Sequence, residues 1–461
     1  MNETRQLVAH LQGLNYTGFS PAVVQAAKLA LLDFLGVAIA GSQTEPARIY
    51  ARYLAESSQR ASEKASRFAP QFRPIHYHDA AQLNAVYGHA LDFDDVHNAS
   101  ITHLGAISIP VAWTLAEEFS LSGQELICAV VAGYEAGARV GEAITPWAYK
   151  IWHTTAVAGP FAAAAAAAKL LGLSEVQTLN AFGSAGTQAS GLWEFLSNGS
   201  MSKVLHVANA CAAGLRSVEL AQRGFTGAET ILEGPAGFLA AMTPQADATK
   251  LVAGLESSPL RVLQNSLKAY PCCRHAHAGV FAMQQLMDEH SLETGEIESI
   301  LDETYALATK TLDKARPENP YAAKFSAQYL LARQLASGQI AEESFEPDAI
   351  RDAEVGALMG KVSIRTAEDL EGQYAADPQI WPHRVSLVLK DGRKLSKTVE
   401  YPLGDHHNPL GWEEAARKFR GNTEALIGER ASEALVDALS NLEKAATMRG
   451  FLQQIQEENH E

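Results

Sequence analysis

Apolar residues recur at helical spacing along most of the first half of this chain. Across residues 20–260 they fall three or four positions apart, and the alternation typical of strands is rare. Ser20-Pro21 offers an N-cap and a first-turn proline, and the apolar run that follows ends at Gly41, a suitable C-cap. Ser122 and Ser174 each begin a capping-box spacing. The pattern predicts an almost wholly α-helical region.

The pattern changes after Lys268, where strand-like stretches appear. We expect strand structure within Ile297–Thr311, a short strand at Val362–Arg365, and a β-hairpin from Arg384 to Tyr401 around an Asp-Gly turn. Helical spacing is found between these strands and again towards the end of the chain. The predicted helices of this second half cover Ala276–His290, Ala323–Ser337, Asp348–Lys361, Trp412–Phe419 and Ala431–Leu442.

These changes of pattern predict a mostly α fold with two domains. Residues 1–264 and 404–461 would form a large all-helical domain, and residues 265–403 a smaller inserted α+β domain. An insertion of this kind leaves a cleft where its edge meets the helical body, and such clefts are common locations for small-molecule sites. Lys268 lies close to the crossing.

Composition narrows the classes of partner. The chain has 461 residues, of which 47% are hydrophobic, enough to bury a large core. Its net charge of −16 argues against nucleic acid and against an anionic membrane surface, because both need a basic footprint. A small anionic substrate remains compatible if a few Lys, Arg and His side chains share one cleft, where the local field outweighs screened surface charge.

No membrane-spanning or secreted segment is expected. The nearest candidate, Ala156–Leu171, is mostly alanine and is interrupted by Gly159-Pro160 and Lys169. The N-terminus leads directly into a helical pattern without a secretory signal, which predicts a cytoplasmic protein. The four cysteines have no spacing suited to a disulfide framework or a zinc ribbon, and we expect reduced thiols.

The segment Gly88–His97 concentrates acids and imidazoles within an apolar helical pattern. His89, Asp92 and Asp95 follow one another at intervals of three, so in a helix they would share one face and could meet around a ligand. His103 follows within a few residues. This arrangement suits proton-transfer chemistry.

Three later segments add cations and imidazoles: Trp152-His153, Ser200–His206 and Lys268–His277. Together with Gly88–His97 they suit removal of a proton next to a carboxylate, which needs a base at the C–H and cations that hold carboxylates and stabilise the developing charge. Elimination, decarboxylation and epimerisation can all pass through such a carbanionic intermediate, so spacing leaves the three open.

Other site chemistries are less well supported. The imidazole pairs His76/His78, His275/His277 and His406/His407 match no standard zinc spacing, and we predict no metal. The glycine-containing stretches lack dinucleotide or P-loop spacing. Cys272 or Cys273 could be a nucleophile activated by its basic neighbours, but we favour a structural or cleft-lining thiol.

The residues resemble the MmgE/PrpD family, which includes 2-methylcitrate dehydratase, cis-aconitate decarboxylase and iminodisuccinate epimerase. The resemblance runs through nearly the whole chain, and the order and spacing of its segments make it specific. The segments are Leu31–Gly41, Gly88–Asp95, Trp152–Gly159, Lys203–His206, Gly224–Gly227, Lys268–Pro271, Lys324–Tyr329 and Asn408-Pro409.

The resemblance implies a helical domain built from both ends of the chain, a smaller α+β lid domain, a homodimer and no required cofactor. Carried over by position, it assigns catalytic roles to five residues: Asp92, His103, His153, Lys203 and Lys268. The histidines would carry protons, the lysines would bind carboxylates, and the aspartate would orient or share a proton. We expect a second set to contact substrate: His97, His206, Cys273, Arg274 and His277.

Three departures affect this transfer. The stretch Tyr270–His277 differs from the corresponding part of 2-methylcitrate dehydratases. Leu104 follows His103 where many members have Pro, and Val96 stands where many have Thr. The resulting hypothesis is an enzyme that abstracts an α-proton from a small di- or tricarboxylate without a cofactor, as a hydro-lyase of the 2-methylcitrate dehydratase type. A decarboxylase, an epimerase or isomerase, and a helical dimer that binds a metabolite without turnover are the alternatives.

Overall fold

The computed structural model describes residues 2–57 and 74–452, and within them the fold is mostly α, as predicted. Twenty α-helices occur in these ranges: α1 Glu3–Gly13, α2 Pro21–Gly41, α3 Glu45–Ser57, α4 Tyr77–His89, α5 Gly105–Glu118, α6 Gly123–Ile144, α7 Thr154–Leu170, α8 Glu175–Gly186, α9 Ser202–Gln222, α10 Phe238–Met242, α11 Thr249–Val252, α12 His277–His290, α13 Ala306–Leu312, α14 Pro320–Ala323, α15 Ala327–Ser337, α16 Pro347–Ile350, α17 Ala353–Met359, α18 Glu368–Ala376, α19 Trp412–Ile427 and α20 Glu429–Ser440. The strands are β1 Val96–His97, β2 Asn265–Ser266, β3 Ile297–Thr304, β4 Val362–Thr366, β5 His383–Leu389 and β6 Lys394–Val399.

The described residues form two compact units. Unit 1 draws on the described residues within 1–195, 201–265 and 411–461, so segments near both ends of the chain contribute to it. Unit 2 contains residues 196–200 and 266–410. All the strands longer than two residues lie in unit 2.

Small side chains let the central helices of unit 1 approach closely. The run Ala162–Ala168 in α7 is buried along its whole length. Where α9 crosses it, a Cβ on Gly214 would lie 2.3 Å from the Cβ of Ala163, so glycine is required for this contact. The two helices therefore lie side by side in unit 1. His153 precedes the first turn of α7, and Lys203 lies in the first turn of α9.

Helix α2 is long and apolar enough to cross a membrane by composition alone, whereas the sequence pattern had pointed to Ala156–Leu171 as the nearest candidate. About three quarters of its most apolar window, 72%, is buried within the structure, as in a core helix. Ser20 caps it and Pro21 opens it, as predicted. Its buried Asp33 forms an ion pair of 2.6 Å with Lys418 of α19, which ties the C-terminal helices to α2.

Unit 2 contains a four-stranded sheet in the order β4-β3-β5-β6. β3 runs parallel to β4 and antiparallel to β5, and β5 and β6 form the predicted hairpin. Gly392 in its turn has φ +89°, a conformation that glycine adopts without strain. Along β5, Val385, Leu387 and Leu389 are buried while their neighbours are partly exposed, which is the alternation expected of a strand with one buried face.

Two predicted elements of unit 2 differ from the structure. Strand structure in the region 297–311 stops at Thr304, and α13 follows, because the apolar positions of its second half recur at helical rather than alternating spacing. The helix predicted over Asp348–Lys361 is two short helices, α16 and α17. Asp352 separates them, accepting hydrogen bonds from the backbone N–H groups of Glu354 and Val355 as the N-cap of α17.

Candidate active site

The acidic segment after α4 is a loop rather than a continuation of the helix. α4 ends at His89, and Asp92 takes a left-handed conformation with φ +54°, which is uncommon for a residue other than glycine. The prediction that His89, Asp92 and Asp95 share one helical face is therefore wrong. The side chains at 92–95 instead leave the backbone in several directions.

Each residue of this loop, Asp92–Asp95, is held by a different part of unit 1. Asp92 accepts a hydrogen bond of 2.5 Å from the Lys203 ammonium on α9, and both side chains are 2% exposed. The Phe93 carbonyl accepts a bond of 2.9 Å from Lys418, whose ammonium also lies 3.7 Å from the centroid of the Phe93 ring. These contacts fix the loop from two separate helices.

Asp94 is shared by two imidazoles. Its Oδ2 lies 2.7 Å from Nδ1 of His89 and 3.2 Å from Nδ1 of His103. If Asp94 is ionised, each imidazole places its proton on Nδ1, and Nε2 of each ring keeps a lone pair. The backbone N–H of His103 donates to Oγ1 of Thr155 at 3.0 Å, so α7 also holds this histidine in place.

Burial and hydrogen bonding together set the charge states of Asp94 and His89. Burial alone would raise the pKa of Asp94, but the imidazole N–H groups of His89 and His103 outweigh it and hold that pKa well below its usual value. Burial lowers the pKa of His89 to about 4, against the opposing effect of Asp94. At neutral pH we therefore treat Asp94 as a carboxylate and His89 as a neutral imidazole.

Asp95 is held by hydrogen bonds to residues outside the imidazole groups. Its carboxylate accepts hydrogen bonds from the Tyr134 hydroxyl, from Nδ2 of Asn265 at 2.7 Å and from the backbone N–H of Gly105 at 3.0 Å. The last bond satisfies a free N–H at the start of α5. Burial raises the pKa of Asp95 to about 7, even though these donors oppose the shift.

Four histidines, His89, His103, His153 and His206, form an imidazole cluster in unit 1. The ring centroids of His89 and His103 are 4.8 Å apart, and that of His153 lies 5.8 Å from His89 and 6.3 Å from His103. His206 lies 5.3 Å from His153. Of the first three, His103 is the most exposed, with 12% of its side chain accessible. It is therefore the imidazole best able to meet a ligand among His89, His103 and His153.

The buried ammonium of Lys203 lies close to this cluster and affects the pKa values of its histidines. Burial holds the pKa of His153 well below its usual value, and the nearby Lys203 ammonium adds to the effect. The same two causes lower the pKa of His206 to about 4. Burial, with a smaller contribution from Lys203, thus keeps these imidazoles neutral, while Lys203 itself pairs with Asp92.

His97 belongs to another buried group. Its Nδ1 lies 2.9 Å from the Ser100 hydroxyl, and its Nε2 lies 3.7 Å from the carboxylate of Glu142, which in turn binds Arg261. These contacts hold His97 in the packing between β1 and α6. A substrate contact for His97 stays a prediction without support from this geometry.

The remaining predicted residues lie in unit 2 and are buried there. Arg274 donates to Asp405 at 2.7 Å, while Nε2 of His277 lies 3.4 Å from the Cys272 carbonyl. The Cys273 backbone N–H donates to the Lys324 carbonyl at 2.9 Å. Lys268 is fully buried. The roles of these residues stay predictions.

Two groups in the described ranges have donor atoms close enough for a metal: His89/Asp94/His103 and Asp405/His406/His407, each within 4.8 Å. Sequence spacing did not single out the first group. Its Nδ1 and Oδ2 atoms already face one another at hydrogen-bonding distance, as 2.7 Å between His89 and Asp94 shows. In the second group Oδ2 of Asp405 accepts from Arg274, and Oδ1 faces Nδ1 of His407 at 3.1 Å. We assign neither group a metal.

Sequence reasoning missed Asp94 as a site residue and left His89 without a role. Asp94 was one of three acids within four positions, and helical periodicity favoured the other two. The signal that distinguishes Asp94 is its contact with His103, which depends on the course of the chain after the helix ends.

Comparison with known sequences identifies a family that covers most of the chain. The profile of the MmgE/PrpD N-terminal domain matches residues 5–251, and that of the MmgE/PrpD C-terminal domain matches residues 270–444. The chain belongs to the MmgE/PrpD family.

Similar proteins along nearly the full length are named as decarboxylases. The cis-aconitate decarboxylase of Aspergillus terreus is 27% identical over 94% of this chain and 91% of its own length. The cis-aconitate decarboxylase of Homo sapiens is 27% identical over 95% of this chain and 92% of its own. A cis-aconitate decarboxylase-like protein, oryM, of Aspergillus oryzae is also 27% identical, with coverage of 98% and 96%.

Proposed function

We propose that this member of the MmgE/PrpD family is a lyase that acts on a small tricarboxylate such as cis-aconitate, releasing carbon dioxide and protonating the remaining fragment from one of its own side chains. The observation that carries the proposal is the convergence of the imidazole cluster with Asp94 and the Asp92–Lys203 pair in unit 1. The names of the relatives favour decarboxylation over the hydro-lyase reaction that the sequence alone had suggested first.

The chemistry needs a proton donor at carbon. When the C–C bond to the departing carboxylate breaks, its electron pair stays on the organic fragment and carbon dioxide leaves. The fragment then takes one proton at carbon. An imidazole that carries a proton on Nε2 can supply it, and His103 is suited to this role because Asp94 holds its Nδ1 and it is the most exposed of the three inner histidines.

Binding of the substrate would favour protonation of His103 at Nε2. A carboxylate close to the cluster favours the imidazolium form of His103, since an opposite charge stabilises the charged state of a titratable group. The Lys203 ammonium, which donates to Asp92, places a buried positive charge beside the cluster that attracts a substrate carboxylate. Anion binding and protonation of the acid are thereby coupled.

Product analysis tests the proposal. The wild-type protein is incubated in deuterated water with cis-aconitate, 2-methylcitrate or iminodisuccinate, and the products are followed by NMR. Decarboxylation releases carbon dioxide and leaves a new C–D bond, dehydration produces an alkene without loss of carbon, and epimerisation exchanges the α-hydrogen for deuterium. We expect the first outcome with cis-aconitate.

Variants locate the activity. His103→Gln should lose turnover, whereas His290→Gln, at the exposed end of α12, should keep it. Dehydration or epimerisation by the wild type would replace the proposed reaction with that alternative. Binding of all three acids in a thermal-shift assay without any product would favour the non-catalytic dimer.

A further inference from the structure

The contact between His153 and His206 has a geometry that restricts its protons. Their Nδ1 atoms are 3.1 Å apart. Two lone pairs would repel at this distance, and two N–H groups would collide, so one Nδ1 donates and the other accepts. A single proton therefore lies between the two rings. The tautomer of one ring fixes the tautomer of the other.

The two rings differ in their access to solvent. His153 is 1% exposed, and its Nε2 has no hydrogen-bond partner among the described residues. His206 is partly exposed on the surface of α9. The pair thus connects a buried nitrogen inside the imidazole cluster with a ring that water can reach.

Aromatic side chains cover the pair. The Trp193 ring lies 4.9 Å from the His153 ring, and Phe195 lies 5.6 Å from His206 and 6.2 Å from His153. The backbone N–H of His153 donates to the Gly191 carbonyl at 3.0 Å, and the backbone N–H of Trp193 donates to the Ile151 carbonyl at 3.0 Å. These walls are largely hydrocarbon and offer water few hydrogen-bonding partners.

Gly191 permits this cover. Its φ is +137°, and a Cβ at this position would lie 2.4 Å from the Ala156 Cβ and 3.3 Å from Nδ1 of His206. A larger residue would push the loop away from the ring. The absence of a side chain at 191 therefore lets the loop close directly over the shared proton.

We infer that His206 is a proton relay for His153, through which the buried end of the imidazole cluster exchanges protons with solvent. In the inward direction, a water proton binds the outer nitrogen of His206, and the shared proton crosses from Nδ1 of His206 to Nδ1 of His153. His153 then releases the proton on Nε2 to substrate or to a water beside the cluster. One N–H bond forms and one breaks at each ring. The reverse sequence, with a proton taken up at His153 from substrate or water, restores the first arrangement.

As a relay for the catalytic reaction this inference rests on the proposed function, but proton exchange can be measured without turnover. Protein labelled with ¹⁵N at histidine is studied by NMR as wild type, His206→Phe and His290→Phe. In the wild type we expect one ring of the pair protonated at Nδ1 and the other not, with rapid exchange of the His153 N–H with water. In His206→Phe the His153 N–H should become a slowly exchanging signal, while His290→Phe should match the wild type.

Steady-state kinetics of the variants provide a second test of the relay. His206→Ala should lower kcat about 10-fold to 100-fold, a modest loss for removal of a proton-transfer group. Added imidazole should restore part of the lost kcat. His206→Phe should show the lower kcat without rescue, because the ring fills the space. The KM should change little in both.

The outcomes separate the two proposals. If the wild type converts none of the three acids but the His153 exchange slows in His206→Phe, the proposed function fails and the relay stands. If His153 exchange and tautomer are the same in wild type and His206→Phe, the relay is overturned whatever the activity. Unchanged kcat in His206→Ala, in an active enzyme, also overturns it.

Discussion

Asp92 and Lys203 form an ion pair of 2.5 Å across 111 positions of sequence, with both side chains almost fully buried. The pair holds the loop after α4 against the first turn of α9. Buried charges are costly unless they are paired, so each residue constrains the position of the other. This contact determines where the rest of the acidic loop can lie.

Separating the pair should therefore destabilise unit 1. Asp92→Asn or Lys203→Met alone removes one charge of this buried pair and keeps the other, and we expect each to reduce the free energy of unfolding by about 3–5 kcal/mol. The double variant should lose less than the sum, because it buries no charge. Urea unfolding of the four proteins measures this coupling, and strictly additive losses would contradict it.

Asp94→Asn should reduce activity more than stability. An amide oxygen can still face both imidazole Nδ1–H groups, but the neutral amide lacks the negative charge that stabilises the imidazolium form of His103. We expect kcat with cis-aconitate to fall about 100-fold or more, on the scale of lost acid–base catalysis. Steady-state kinetics and circular dichroism provide the measurement.

The matched control for that variant lies in unit 2. Asp302 and His383 form a buried pair of 2.8 Å with the same chemistry. Asp302→Asn should keep most of the activity of folded protein. Equal losses of kcat in the two variants would mean that Asp94 acts only through the fold.

Stability should decline as the pH falls through the mildly acidic range. The folded pKa values of His89 and His206 are both about 4, below the ordinary value of about 6.5. Between these values the unfolded chain binds protons at both histidines that the folded chain does not, so together they lower the free energy of unfolding as pH drops. Asp95, whose folded pKa is raised to about 7, contributes in the opposite direction and offsets part of this loss. Asp94, with its lowered pKa, contributes a further loss below its ordinary value of 3.8.

Urea titrations from about pH 7 to about pH 5 check this dependence. His206→Gln removes one of the groups, so its stability should fall less steeply than that of the wild type. Identical slopes for the two proteins would show that His206 does not contribute.

Gly191→Ala should disturb the cover over the His153–His206 pair. The new Cβ would meet Ala156 at 2.4 Å in a backbone conformation, φ +137°, that alanine rarely adopts. We expect a loss of about 1–3 kcal/mol in unfolding free energy and a lower kcat. Gly172→Ala is the control, because Gly172 also has a positive φ but has open space around its Cβ. Similar effects in both would assign the loss to backbone strain alone.

Local signals in the sequence determined much of the helical framework. Ser20, Ser122 and Ser174 cap the helices that their spacing predicted, and the Asp-Gly turn forms the hairpin of unit 2. Each signal acts within a few residues of chain, so sequence alone specifies it. The family resemblance likewise followed from the order of short motifs.

The same sequence could not show which acid meets which imidazole. Periodicity favoured Asp92 and Asp95 on the face of His89, but the helix ends at His89 and Asp94 is the residue that contacts both His89 and His103. The helix end and the left-handed Asp92 are held by Lys203 and Lys418, which come from remote helices. The pairing of His153 with His206 likewise depends on the close crossing of α7 and α9. Hydrogen bonds act over about 3 Å in space without regard to distance along the chain, so only the tertiary structure decides them.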